Sequence, residues 1–314
     1  MTLLSMLIAL IVERLAVRGR AWQLVTYLQP YLRFCSSGSV GSIRQQPYFL
    51  LVGWLLPAVV IALLIYSVQF WLFQLVLNTV VLLLCIGSWH YRQQYKQFLN
   101  ACQRDDEQAA FLSMQQMRQA QGAPELTYGP QLIWLNFRYY AAVLFWYALL
   151  GAFGAVAYAC LRQLAEPLTY DRNISQPADD SPTPAATDPA GLSDETAAET
   201  LAASADPVTA ANSWRLFADD LLHWADWLPV RLFGLGLALV GDFSRTSAVL
   251  LQHAGAMQMS APQLLTELSQ AAEPVPEELL NSQEAAVSAV ALAKRNVLFF
   301  LALVAVLTLS GWLS

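Results

Sequence analysis

The longest apolar stretch in the chain runs from Gln45 to Tyr91 and contains no Asp, Glu, Lys or Arg. As one helix, rising about 1.5 Å per residue, it would reach roughly 70 Å, about twice the hydrocarbon core of a bilayer. A more polar step near Ser67 divides it. The pattern therefore predicts a helical hairpin over 48–89 that crosses a membrane twice, with a kink at Pro57 in its first arm.

Two further stretches are long enough to cross a bilayer, 139–161 and 296–313, since a span needs about 20 residues. Small residues between Gly151 and Gly154 would either let another helix pack closely or merely be tolerated in a buried helix. The apolar stretch from Met1 to Val12 is too short to span and reads as a half-inserted or interfacial helix. Phe233 to Gly241 is also too short, and reads as a buried or re-entrant piece or as part of a longer span.

No stretch shows the alternation of a β-strand. The fold class predicted is therefore all-α: a polytopic integral membrane protein with about four full transmembrane helices plus shorter membrane-inserted or amphipathic helices. The N-terminal membrane region spans 1–165 and includes a polar helical segment at 90–133. Residues 166–207 are acidic and rich in Pro, Ala and Thr, which predicts a disordered linker. The C-terminal region is 208–314.

Composition agrees with a membrane protein. The 314 residues are 56% hydrophobic and 13% charged, where soluble domains average roughly 25% charged. Mean hydropathy is +0.42 and the net charge is −6. No basic footprint for nucleic acid is present, so the expected partner is the lipid bilayer. Four cysteines without a CxxC pair and three scattered histidines predict no metal site.

Lys and Arg counts predict the orientation. The Arg-rich segment Arg14 to Arg44 and the segment 90–138 should both be cytoplasmic, because the hairpin 48–89 returns to its starting side. The span 139–161 would then carry the acidic linker to the periplasm. Lys294 and Arg295, beside the last span, would fall on the wrong side in that arrangement.

Candidate functional residues are polar groups that border apolar segments, where charge is costly. The motifs of P-loop, serine-hydrolase and zinc-protease sites are absent from the sequence, and Gly234-Leu235-Gly236 indicates helix packing. Arg231 is the leading candidate because it lies inside an apolar run. Interfacial snorkelling is the alternative for the arginines, and a solvated helix turn is the alternative for Arg104-Asp105. The candidate ligand-binding set is Arg104, Asp105, Asn136, Arg138, Pro229 and Arg231, with Glu13, Arg14 and Glu284 as candidates for structural ion pairs.

Five segments resemble the AmpE family along nearly the whole chain, with the acidic linker as an apparent insertion. They are Met1-Thr2-Leu3-Leu4 leading to Glu13-Arg14-Leu15, Leu82 to Gly87, Trp134 to Tyr140 running into Leu144-Phe145-Trp146, Asp226 to Leu232, and Ala285 to Ser288 before Lys294. The resemblance implies a regulatory or sensory protein of the inner membrane of a Gram-negative bacterium, linked to β-lactamase induction. It implies as a partner the cytoplasmic amidase system that trims anhydro-muropeptides in cell-wall recycling.

A more distant similarity is to the adenosylcobinamide-phosphate synthase family (CbiB/CobD type). Arg104-Asp105, Val143-Leu144-Phe145 and Pro229-Val230-Arg231-Leu232 are similar to segments of that family. Asn136 and Arg138 stand where its acidic residues would be, and an ATP-using ligase needs carboxylates to hold Mg²⁺. The cofactor is therefore unknown, and ATP or Mg²⁺ is expected only if ligase activity is retained.

Three functional hypotheses follow. The first is a regulatory protein that binds an anionic cell-wall or nucleotide-like molecule through Arg104, Arg138 and Arg231 without catalysis. The second is a membrane amide ligase of the cobalamin-synthesis type. The third is a transporter of recycled cell-wall fragments, which is ranked last because the spans contain few polar residues.

Overall fold

The computed structural model describes residues 2–15, 22, 24, 26–28, 30–31, 47–87, 89–121, 126–165 and 206–311. These residues form helices and connecting turns, without a strand among them. The predicted linker 166–207 lies outside the described residues except for its last two. The helices are α1 Thr2–Leu15, α2 Pro47–Ser67, α3 Trp71–Cys85, α4 Trp89–Cys102, α5 Glu107–Gln121, α6 Tyr128–Asn136, a π-helix Phe137–Ala141, α7 Ala142–Ala165, α8 Asp206–Val240, α9 Phe243–Gln252, α10 Ala261–Ala272, a 3₁₀ turn Glu277–Leu279 and α11 Gln283–Leu309.

The all-α membrane class is confirmed. Among the described residues, two helical stretches are long and apolar enough to cross a membrane, Tyr128–Ala165 and Gln283–Leu309. A third is counted if α3 and α4, bent by 53° at their junction, form one span. Among the described residues the count is thus two or three, where the sequence predicted about four; α3, with 15 residues, is short for a span unless it is joined to α4.

The 48–89 hairpin has the predicted division near Ser67. Helix α2 ends there, residues 68–70 form the connection, and α3 begins at Trp71. Large side chains on either side of this step are open to the surroundings: Tyr66 is 84% exposed and Phe70 62%. Both arms pack against α7. The exposure of large apolar side chains such as Phe70 is unfavourable in water and favourable against lipid.

The stretch 128–165 folds back on itself at Gly151, which adopts φ 64° and ψ −149° inside α7. The guanidinium of Arg162 donates to the carbonyl oxygen of Arg138 at 3.1 Å. In a straight helix those residues would lie roughly 36 Å apart. A Cβ built on Gly154 would overlap the carbonyl oxygen of Trp146, so the arms are also in contact close to the turn. We call residues 128–165 the second hairpin.

The stretch 139–161, predicted as a third span, is therefore sharply bent at Gly151. The physical reason is local: the backbone angles of Gly151 are open to glycine and strained for other residues. Gly151 is the turn, and no atom of the described residues lies within 4 Å of where its Cβ would be. Gly154 packs against the opposite arm of its own hairpin. Neither glycine therefore serves to admit a separate helix.

Helix α8 joins the second hairpin to the C-terminal helices, since it packs against α7, α9, α10 and α11. Its glycines lie where neighbouring helices approach closely. A Cβ on Gly234 would meet Leu268 at 2.6 Å, and one on Gly241 would meet Ala272 at 2.8 Å. Gly236 faces Asn296 of α11, whose amide donates to the carbonyl of Phe233 at 2.8 Å. The helix-packing interpretation of Gly234-Leu235-Gly236 is confirmed.

Candidate functional site

A charged cluster is buried where the base of the second hairpin meets α8. It consists of Arg138, Tyr158, Arg162 and Asp226, with exposed fractions of 8%, 2%, 3% and 2%. The hydroxyl of Tyr158 donates to Oδ1 of Asp226 at 2.7 Å. Tyr158 and Arg162 are four residues apart and share one face of the returning arm. We call these four residues the base cluster.

The charges in the base cluster are opposed in sign. Burial raises the pKa of Asp226 to about 6, while the positive charge of Arg138, the hydroxyl donor of Tyr158 and the charge of Arg162 favour its ionised form. Buried ionisable groups between membrane helices are commonly functional, because they are costly unless paired. The cluster therefore combines two arginines with a carboxyl group whose pKa lies near neutral pH.

The local geometry of Arg162 ties three elements together. One guanidinium nitrogen binds the Arg138 carbonyl, the other donates to the Cys85 carbonyl at the end of α3 at 3.4 Å, and the group lies 4.0 Å from the centre of the Tyr139 ring. Its Nε has no hydrogen-bond partner among the described residues. Through Arg162, the base cluster therefore connects α3, the π-helix and α7.

The π-helix at 137–141 presents successive side chains to different partners. Arg138 belongs to the base cluster, and the ring of Tyr139 contacts the guanidinium of Arg162. The hydroxyl of Tyr140 donates to Oε1 of Glu13 in α1 at 2.7 Å. A π-helix is a one-residue insertion into an α-helix and is frequent at functional sites. Here it turns adjacent residues towards two separate charged groups.

The second charged group contains Glu13, Arg92 and Tyr140. Glu13 is 5% exposed and forms an ion pair with Arg92 of α4. Gly87 lies beside them with φ 78°, and a Cβ there would meet both Glu13 and Tyr140 at 3.2 Å. The amide of Gly87 donates to the Tyr139 carbonyl at 3.1 Å. Glu13 thus forms an ion pair, and its partner is Arg92.

The predicted pair Arg104-Asp105 is exposed in the turn between α4 and α5. Asp105 has φ 55°, and its amide donates to the Cys102 carbonyl at 3.2 Å. The next residue, Asp106, caps α5 by accepting from the amide of Ala109 at 3.0 Å. These are the contacts of a solvated helix turn.

Arg231 uses its guanidinium to hold a turn. It donates to the carbonyls of Ala254 at 2.9 Å, Ala256 at 2.8 Å and His253 at 3.4 Å, all at the end of α9. A fourth bond goes to the Trp227 carbonyl at 2.9 Å, and the Trp227 ring lies 4.1 Å away. Arg104, Arg138 and Arg231 therefore lie in three different environments.

The other predicted residues are scattered. Asn136 is half-buried at the end of α6, and Pro229 is buried inside α8. Arg14 is exposed next to the buried Glu13, and Glu284 is exposed in the first turn of α11. Arg138 is thus the one predicted ligand-binding residue that lies in the base cluster.

Sequence reasoning missed Tyr158, Arg162, Asp226 and Arg92 as site residues. The sequence signal for Arg162 is its position directly after the uncharged stretch 139–161. Asp226 was visible as the acid of the Asp226–Leu232 segment. Only the fold-back at Gly151 brings Arg138 and Arg162 together.

Four of the five segments that carry the family resemblance meet at these two charged groups. They contribute Glu13, the Cys85 carbonyl with Gly87, Arg138 to Tyr140, and Asp226. Among the described residues no three His, Cys, Asp or Glu side chains are grouped so as to hold a metal ion. What the site offers a ligand is guanidinium, phenol and carboxyl chemistry.

Comparison with known proteins gives the family. The family model described as regulatory signalling modulator protein AmpE matches residues 1–178 and 194–314. A curated relative, Protein AmpE of Shigella flexneri, is 29% identical over 333 residues, covering 99% of this chain and 99% of its own length. No solved structure matches the chain. The two matched ranges cover nearly the whole sequence, and the chain belongs to the AmpE family of regulatory signalling modulator proteins.

Proposed function

We propose that this protein is a regulatory signalling protein of the inner membrane of a Gram-negative bacterium, and that it takes part in β-lactamase induction and cell-wall recycling. Membership of the AmpE family supports the regulatory role. The expected partners are the bilayer and the cytoplasmic amidase system acting on anhydro-muropeptides. Cell-wall fragments of that kind carry carboxylates, which arginine recognises well.

The observation that carries this proposal is the base cluster. It links the membrane-embedded second hairpin to α8, and α8 packs against α9, α10 and α11. A change of charge or position at Arg138, Arg162 or Asp226 would therefore alter the packing of both the second hairpin and the C-terminal helices. We propose that an anionic ligand acts by competing with Asp226 for the two arginines, without chemical conversion of the ligand.

The test is complementation of a deletion strain that carries an inducible β-lactamase. The native chain should restore normal induction and normal muropeptide pools, and Asp226→Asn should shift the induction curve. Asp220→Asn is the matched control, because Asp220 is an exposed aspartate on the same helix. Membrane levels of each variant are compared by immunoblotting. Deletion without effect on induction or muropeptides would refute the proposed function.

A further inference from the structure

The fold-back of the second hairpin has a consequence for how the chain sits in the membrane. Its two arms run antiparallel, since Trp146 meets Gly154 near the turn and Arg138 meets Arg162 at the base. We propose that this hairpin is re-entrant: it enters the bilayer from one face, turns at Gly151 within the hydrocarbon and leaves by the same face. Residues 89–121 and 206–282 then lie on one side of the membrane.

The chemistry of the turn matches lipid. Leu149 and Leu150, just before Gly151, are 53% and 51% exposed. No charged residue occurs between Tyr139 and Leu161. Ala152, immediately after the turn, is buried, so the exposed surface of the turn is formed by apolar side chains. The occupant of this surface is therefore the acyl region of the bilayer.

The length of the arms places the turn inside the bilayer. From Arg138 to Gly151 is 13 residues, or roughly 20 Å of helix. From Gly151 back to Arg162 is roughly 17 Å. The hydrocarbon core is roughly 30 Å thick. With the arginines of the base cluster near one interface, the turn stops short of the other.

The last helix supports the same placement independently. Phe233 of α8 accepts from Asn296 and its ring lies 5.5 Å from that of Phe137, so Asn296 is level with the base of the second hairpin. Lys294 and Arg295, immediately before it, are exposed. Beyond Asn296 the chain has no charged residue. The basic pair thus sits at the same level as the base cluster.

A single crossing by 128–165 would separate these basic residues from those of α4 and α5. Among the described residues of 206–282 no helix is long and apolar enough to cross back, and the acidic stretch 166–205 contains no apolar run of span length. A re-entrant hairpin keeps Arg92, Lys96, Arg118, Lys294 and Arg295 on one side. That is the arrangement the positive-inside rule favours, with the shared side cytoplasmic.

The experiment compares cysteines placed on either side of the second hairpin. The background carries Cys35→Ala and Cys102→Ala, while Cys85 and Cys160 stay in place because they are 0% and 1% exposed. Gln103→Cys lies before the hairpin and Ser244→Cys after it, and both positions are exposed. A membrane-impermeant maleimide is applied to intact spheroplasts and to lysed membranes. The background chain should be unlabelled in both, which shows that the native thiols are shielded.

We expect Gln103→Cys and Ser244→Cys to behave alike, unlabelled in spheroplasts and labelled after lysis. Labelling of one before lysis and of the other only after lysis would overturn the proposal. A third variant, Leu150→Cys, should stay unlabelled in both preparations and show one more reactive thiol than the background in SDS. Labelling of Leu150→Cys in intact spheroplasts would show that the turn emerges on the outer face, and would equally overturn it.

Discussion

At the scale of single residues, charged side chains are stabilised here by very specific neighbours. Adjacent residues in the sequence have opposite fates: Glu13 is buried in an ion pair, and Arg14 is exposed. The same contrast separates Asp226 from Asp220 on α8. Burial of a charge is costly unless partners compensate, so the buried member of each pair is the one whose substitution matters.

Glu13→Gln should destabilise the protein. It removes the charge that pairs with Arg92 and weakens the bond from the Tyr140 hydroxyl. Because Arg92 is 46% exposed, water compensates part of the loss, and we expect a cost of roughly 2 kcal/mol. Thermal unfolding in detergent measures it. Arg14→Gln is the control and should leave the melting temperature unchanged; equal effects of both variants would contradict the assignment.

The raised pKa of Asp226, about 6, predicts a pH dependence of stability. Between about pH 4 and 6 the folded state holds a proton that the unfolded state has released, so the cost of burying ionised Asp226 decreases, and stability increases, as the pH falls through 6. The groups that face it are Arg138, Tyr158, Arg162 and His223. The melting temperature of the native chain minus that of Asp226→Asn should be larger at pH 5 than at pH 8. A difference that instead grows with pH would show that the arginines outweigh burial.

At the scale of helices, the decisive features are two glycines with different roles. Gly151 provides backbone angles that end one arm and start the next. Gly236 provides space, because α8 and α11 approach each other over it. The first effect depends on φ and ψ, and the second on the absent side chain, so substitution should fail for different reasons.

Gly151→Ala should be destabilising although the site is open. The conformation φ 64°, ψ −149° is essentially restricted to glycine, and forcing it costs roughly 1–3 kcal/mol. Gly255→Ala is the matched control, since it also has no atom within 4 Å and lacks the positive φ. Thermal unfolding of the two variants checks the prediction. A loss at Gly255 equal to that at Gly151 would contradict it.

Gly236→Ala should be destabilising by crowding, because its Cβ would overlap the amide oxygen of Asn296. Overpacking of this kind costs roughly 1–3 kcal/mol. Asn296→Ala removes the obstacle, so the double variant should be more stable than Gly236→Ala alone. A double-mutant cycle measures the coupling. Strictly additive losses would mean that the two residues do not crowd each other.

At the scale of the whole molecule, the two proposals assign the apolar elements to the bilayer and the charged elements to one side of it. Apolar side chains at the turns of the 48–89 hairpin and of the second hairpin are exposed, and residues 48–89 and 139–161 carry no charge. The polar helices α4 and α5 precede the second hairpin in the sequence, α9 and α10 follow it, and all four contain charged residues. The proposed regulatory role and the re-entrant topology both depend on this division, and each has a separate test.

The membrane class, the helical content and the family were predictable from the sequence, because uncharged stretches and short motifs are local features. The division of the 48–89 hairpin near Ser67 and the packing role of Gly234-Leu235-Gly236 were also predictable. Arg231 was expected to be functional because it interrupts an apolar run. The structure gives it backbone carbonyls at the end of α9, a partner 22–25 residues away that no local pattern reveals.

By itself, the sequence determined that this chain is a helical membrane protein with charges gathered at the edges of its apolar stretches. It did so because hydrophobicity and charge act residue by residue. Only the tertiary structure decided which of those charges meet. The turn at Gly151 brings Arg162 to Arg138, and α8 brings Asp226 to Tyr158. A single backbone conformation thereby converts an apparent span into a hairpin, which hydropathy cannot distinguish because both have the same composition.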